Sequence, residues 1–219
     1  MAYEFLHWIG HASFYIEISG KNVYIDPFNI KGSMHEADAI LITHPHFDHF
    51  DINSINKIAT DDTYFAAPSE VVSQLEYKNK KIVKPNERYN LNGVEFKTVP
   101  AYNVVKERLQ NHPKSKGWVG YIINADGISI YHAGDTDFIE EMNEISVDLA
   151  LLPIGGTYTM DVDEAARASG AIKAKNFAPM HYKALLGESG SKKAEEAFRS
   201  KVRNPIIFKE VQEPSYSFR

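Results

Sequence analysis

Ala39-Ile40-Leu41-Ile42-Thr43-His44-Pro45-His46-Phe47-Asp48-His49 runs from four apolar residues straight into three histidines and a carboxylate. Such side chains crowd together only at a cost: protonated they repel, and buried without partners they lose their hydration. A divalent cation removes both penalties, because neutral imidazole and carboxylate are ligands of zinc and similar metals. In an extended backbone successive side chains alternate, so His44 and His46 project to one side and can grip one ion. Pro45 keeps the residue before it out of the helical region. Asp48 and His49 fall where the chain begins to coil and can serve a second ion. The specificity of His-x-His-x-Asp-His outweighs a chance surface cluster.

Outward from this motif the pattern is strand and helix. Residues 39–42 read as a short buried strand that delivers the histidines at its C-terminal end. A helix follows, with Asp51 as cap and Ile52, Ile55 and Ile58 on one face. Upstream, Phe14 to Ile18 and Val23 to Ile25 pair around Gly20-Lys21-Asn22. Downstream come strand Thr63 to Ala67, helix Ser69 to Leu75 and strand Ile82-Val83. The second half begins with strand Val94 to Val99, stopped by Pro100. A hairpin joins Trp118–Ile123 to Ile128–Tyr131 around Asn124-Ala125-Asp126-Gly127. Strand Asp148 to Ile154, helix Val162 to Lys175 and a strand ending in Pro179-Met180-His181 continue the series. Helix Lys192 to Lys201 and strand Ile206-Ile207-Phe208 close it. The same rhythm occurs twice, which suggests two sheets packed face to face with helices outside. The long irregular stretch from Asn103 to Gly117 has the length of a functional loop.

The 219 residues suit one sizeable domain or two small ones, and the reading adopted is a single domain over 1–219. Hydrophobic residues at 43% and aromatics at 12% supply a core and exclude a disordered chain. A net charge of −5 argues against a nucleic-acid partner. With no cysteine there is neither a disulfide nor a thiolate ligand or nucleophile. Met1 to Phe5 lacks a secretory pattern, and no apolar run reaches the roughly 20 residues that span a bilayer. A cytoplasmic protein without membrane contact is expected.

Two further strand ends carry ligand-type residues. In His132-Ala133-Gly134-Asp135-Thr136, small residues let the backbone approach a metal, and Asp135 could bridge two ions or merely cap a helix at 137–139. His181 follows Pro179-Met180; alone it would read as structural.

Together these motifs resemble the metallo-β-lactamase fold superfamily, and within it small hydrolases of the ascorbate-6-phosphate lactonase group. Gly10-His11-Ala12-Ser13, Ile25-Asp26-Pro27-Phe28, Thr43 to His49, His132 to Thr136, Pro153 to Met160 and Pro179 to Tyr182 follow that family's order along nearly the whole chain. The resemblance implies an αββα sandwich: two mixed β-sheets face to face, helices on both outer faces, and a dinuclear metal site along one edge. It implies one ion on His44, His46 and Asp135, and another on Asp48, His49, Asp135 and His181. The family's third histidine for the first ion is replaced here by Asn103, a poor ligand; His112 is the imidazole available to substitute, or else a substrate-binding or plain loop histidine. Asp26 would hydrogen-bond the far nitrogen of a ligating histidine. Asn103 would line the pocket, His11 would line it or stand as a core histidine, and His132 would be structural or support the site from behind.

The implied chemistry is metal-assisted hydrolysis by a hydroxide bridging two divalent ions, zinc first and manganese or iron as alternatives, with Asp48 as the catalytic carboxylate orienting it. The substrate expected is a small-molecule ester, lactone or phosphoester. Lys106, Arg108 and Lys114 could receive an anionic group, or simply form a solvated charged loop. A metal-dependent nuclease or phosphodiesterase, a di-iron redox protein and a non-catalytic binding protein are the competing readings. His46, where di-iron members carry glutamate, speaks against the redox one. A homo-oligomer stays open.

Overall fold

The computed structural model describes residues 3–211. Two compact units emerge: residues 3–83, 91–94 and 208–211 form the first, and 84–90 with 95–207 the second.

The first unit is built on a six-stranded sheet in chain order: β1 (Leu6–Gly10), β2 (Ser13–Ile18), β3 (Lys21–Ile25), β4 (Ala39–Leu41), β5 (Tyr64–Ala67) and β6 (Lys80–Ile82). The first three strands pair antiparallel and the last four parallel. Ser19 and Gly20, at φ 47° and 74°, close the β2–β3 hairpin in a turn whose twist suits the strands. Every residue of β4 is buried, which explains an apolar run without alternation. Helices α1 (Ile52–Ile58) and α2 (Ser69–Val72) cover one face, packing Ile55, Ile58 and Val71 with Tyr15, Tyr24, Ile40 and Phe65. Asp51 caps α1 by accepting from the Asn53 amide at 3.0 Å. Ile52, expected on the buried face, is exposed. Three-residue steps drift round a helix and leave it about 120° from Ile58.

The second unit, apart from the strand ends at Leu91 and Val94, repeats the plan with β7 (Arg88–Leu91), β8 (Val94–Pro100), β9 (Val119–Ala125), β10 (Ile128–His132), β11 (Ser146–Pro153) and β12 (Lys173–Met180), again adjacent in chain order. Strands β8 to β10 pair antiparallel and β10 to β12 parallel. Asp126 and Gly127 form a two-residue turn, tighter than the four residues expected. Helix α3 (Val162–Ala171) starts at a capping box in which Asp161 accepts from the Glu164 amide (2.8 Å) and Glu164 from the Asp161 amide (3.0 Å). It ends earlier than its sequence pattern suggests, because the chain from Lys173 onward is taken into pairing with β11. Helix α4 (Lys183–Lys201) starts before the expected Lys192 and kinks at Gly187. Residues 206–208 are not a strand; isolated bridges flank them, at Pro205 with Phe177 and at Glu210 with Trp8. Strands β1 and β7 were not anticipated, β7 being largely exposed and lacking an apolar alternation. Among the described residues no helix is long and apolar enough to cross a membrane.

Asp148 ties the parallel part of this second sheet together. Its Oδ2 accepts from the Ser129 amide and hydroxyl, both at 2.8 Å, and its Oδ1 meets Lys175 Nζ at 2.6 Å. The Lys175 ammonium, then the Ser129 amide, draw its carboxyl from the ordinary 3.8 down to about 2. Between those values the unfolded chain binds more protons, so the stabilisation is complete above pH 4 or so and vanishes as pH falls through about 2. With Lys175 mostly exposed, Asp148→Asn should cost about 1 kcal/mol at pH 7. Urea midpoints of the two proteins should draw together as the pH is lowered from 4 towards 2.

Candidate metal centre

In the first unit the motif turn leaves β4 at its C-terminal end, and Asp26 leaves β3 beside it. Asp26 is fully buried. Its Oδ1 accepts from the Thr43 amide (2.8 Å); its Oδ2 accepts from the Thr43 hydroxyl (2.7 Å) and lies 2.7 Å from His49 Nδ1. A carboxylate is acceptor-only, so His49 carries its proton on Nδ1 and turns the Nε2 lone pair outward. With the Thr43 hydroxyl proton spent on Asp26, its oxygen accepts from His44 Nδ1 at 2.9 Å, which gives His44 the same tautomer. One buried carboxylate thus orients two imidazoles, the second through a threonine. His46 turns Nδ1 to within 3.0 Å of His44 Nε2. His11 Nε2 holds Asp48 Oδ2 at 2.9 Å, and His11, Asp48 and His49 offer ligand atoms within 4.8 Å of one another. The Trp8 indole donates to the His11 carbonyl at 2.9 Å and pins that turn.

In the second unit Asp135 stands beyond the end of β10 and His181 just past β12. His112 Nε2 lies 3.2 Å and His181 Nε2 3.1 Å from the same Asp135 Oδ2. Residues 136–139 are not helical, so Asp135 has no helix there to cap. Asn103 donates through Nδ2 to Asp137 Oδ1 (2.9 Å) and to the Tyr158 carbonyl (3.1 Å). That fixes its Oδ1 as the acceptor facing His112 Nδ1 at 2.8 Å. His112 therefore protonates on Nδ1 and presents Nε2 towards Asp135. The asparagine thus serves as support for the histidine nine residues on. His132 stands apart: it is buried, and its Nδ1 accepts from the Gly134 amide at 3.2 Å, shaping the turn into Asp135. A Cβ on Gly155 would come within 2.6 Å of the His181 carbonyl, so only glycine permits this close approach.

This donor set fits a divalent metal. Two donors bound tetrahedrally to one zinc at about 2.1 Å stand roughly 3.4 Å apart. The pairs above, at 3.0, 3.1 and 3.2 Å, come close to that spacing.

In the loop at 103–117 Arg108 is no substrate clamp, whereas Lys106, Lys114 and Lys116 are exposed, as in a solvated charged loop. Arg108 is buried. Its guanidinium meets Asp137 Oδ1 at 2.9 Å and Glu164 Oε1 at 2.6 Å, and donates to the Thr159 carbonyl at 2.5 Å. Asp137 also accepts from the Val104 and Val105 amides, at 2.8 and 2.9 Å. Lys114 pairs with Glu141 (3.1 Å) and donates to the Tyr102 hydroxyl (2.9 Å). Sequence reading gave Asp137 and Thr43 no role. Thr43 sits at the motif's edge, but nothing local in the sequence marks Asp137.

A beta-lactamase superfamily domain model matches residues 5–181. The UPF0173 metal-dependent hydrolase of Thermococcus kodakarensis is 35% identical over 190 residues, which cover 80% of this chain and 83% of that protein. Its counterpart in Thermoplasma volcanium is 36% identical over 227 residues, covering 94% and 96%. A crystal structure from Parabacteroides distasonis, described as a metal-dependent hydrolase, matches with a TM-score of 0.82 at 31% identity, over 94% of this chain and 93% of that one. The chain belongs to the beta-lactamase superfamily and, within it, to the UPF0173 family of metal-dependent hydrolases. Two mixed six-stranded sheets with helices agree with the expected α/β, metallo-β-lactamase class.

Removing Arg108 leaves Asp137 and Glu164 as buried charges without their cation. Arg108→Ala should therefore cost about 3 kcal/mol in urea unfolding, whereas Lys106→Ala, at an exposed position, should stay within about 0.5 kcal/mol of the parent.

Proposed function

We propose that this protein hydrolyses a small-molecule ester, lactone or phosphoester, with residues 1–219 acting as one functional domain around two divalent ions. In this reading His44, His46 and His112 hold one ion, Asp48, His49 and His181 the other, and Asp135 serves both. The observation that carries it is the matched orientation of the histidines. Asp26 with Thr43 sets His44 and His49, and Asn103 sets His112, so that each presents a lone pair where a ligand must. Structural histidines need no such fixing of three separate rings.

When bound, the metal would supply Lewis acidity, lowering the pKa of water and polarising the substrate's carbonyl or phosphoryl oxygen. Zinc suits these ligands best, with manganese or iron as alternatives. Asp48, the catalytic carboxylate, is steadied by His11 and accepts a hydrogen bond from the attacking water, aiming its lone pair at the substrate. No serine or cysteine nucleophile is needed. A chain with no cysteine and a net charge of −5 supports a cytoplasmic enzyme for small molecules over one for nucleic acid.

Metal analysis should find two equivalents per chain, and a panel of lactone, phosphomonoester and phosphodiester substrates should reveal turnover that EDTA abolishes and zinc restores. Asp48→Ala and Asp135→Ala should abolish it, while Asp61→Ala leaves it unchanged. Undiminished turnover in metal-free protein would refute the proposal. Asp26→Ala and Asn103→Leu should each weaken metal binding about 10- to 100-fold in chelator competition.

A further inference from the structure

Phe47 lies between His46 and Asp48 and is 76% exposed, the largest exposure among the large apolar residues described. An exposed phenyl ring forgoes the burial that drives its kind inward. The ring is nonetheless held: Phe28, half-buried, meets it edge-on at 6.1 Å and lies 5.6 Å from the His11 ring. Phe47, Phe28 and His11 thus form an aromatic shelf beside Asp48.

The second unit shows the same tendency on its own ligand-bearing segments. Val104 follows Asn103, and the Tyr158 carbonyl accepts from Asn103. Leu185 lies so close to Gly155 that a Cβ there would be 2.6 Å from its Cδ1. All three are exposed. Meanwhile Arg108 is buried against Asp137 and Glu164, and Lys114 pairs with Glu141 at the surface, which leaves Lys106 as an exposed cation of this loop.

Resting on the hydrolase reading above, we propose that Phe47 receives an apolar acyl or alkyl group of the substrate, so that the preferred substrates are neutral esters or lactones carrying several carbons next to the scissile carbonyl. Water attacks that carbonyl carbon, the acyl–oxygen bond breaks, and the products are a carboxylic acid and an alcohol. A hydroxylated or phosphorylated substrate would gain nothing from this shelf.

The test uses zinc-loaded protein and the 4-nitrophenyl esters of acetate, butanoate and hexanoate. In the parent, kcat/KM should rise with chain length, by up to about fourfold per methylene buried. Phe47→Ala should flatten that slope while zinc content stays near the parent's; Phe47→Leu should keep most of it. A flat slope in the parent, an unchanged slope in Phe47→Ala, or preference for a phosphorylated ester overturns the proposal. Binding gives a separate readout. Trp8 and Trp118 are buried, so in Phe47→Trp the added indole reports the shelf, and its emission should shift to the blue with hexanoate and not with acetate. That shift without turnover of any ester would keep the apolar site and sink the hydrolase reading. Ester turnover with neither slope nor shift would do the reverse.

Discussion

A carboxylate buried with no accessible surface must have its charge answered by hydrogen bonds, and at Asp26 that requirement organises everything near it. Its two oxygens receive the Thr43 amide, the Thr43 hydroxyl and His49 Nδ1. Satisfying them fixes where β4 ends, how the motif turn leaves it, and which nitrogen each of two histidines offers. Asp137 meets the same demand in the second unit, taking the Val104 and Val105 amides, the Asn103 side chain and Arg108. Each unit therefore spends a fully buried acid on orienting its own histidines, directly at Asp26 and through Asn103 at Asp137.

The backbone bears part of the cost. His11, Asp26 and His181 adopt positive φ of 51°, 46° and 56°, a region ordinary residues avoid. Such conformations cost of order 1 kcal/mol or more each and persist where surrounding contacts over-determine them. Here those contacts are the Trp8 indole at His11, the Thr43 bonds at Asp26 and the glycine-permitted approach of residue 155 at His181. Six other non-glycine residues among those described share positive φ, but these three stand among the candidate site residues.

Much of this was legible in the chain. Strands with period-two or wholly apolar patterns, such as β2, β4, β8 and β11, and turns such as Asp126-Gly127 announce themselves locally. Elements decided by tertiary pairing do not. The residues after Ala171 look helical and become β12 because β11 is there to pair with, and exposed β7 has no burial to shape its composition. At the site, the ligand-type residues were visible as a motif and two strand ends. Asn103 read as a defect, because its function lies in an amide orientation set by Asp137 and the Tyr158 carbonyl, partners far off in sequence. Arg108 read as a surface cation for the same reason.

The central claim is that side chains from separate stretches chelate a pair of cations. Anomalous diffraction from crystals of the zinc-loaded protein measures this most directly. The account predicts two peaks, one about 2.1 Å from His44 Nε2, His46 Nδ1 and His112 Nε2, the other as close to Asp48, His49 and His181. A crystal with no peak at these atoms, or with zinc bound only elsewhere, would contradict it.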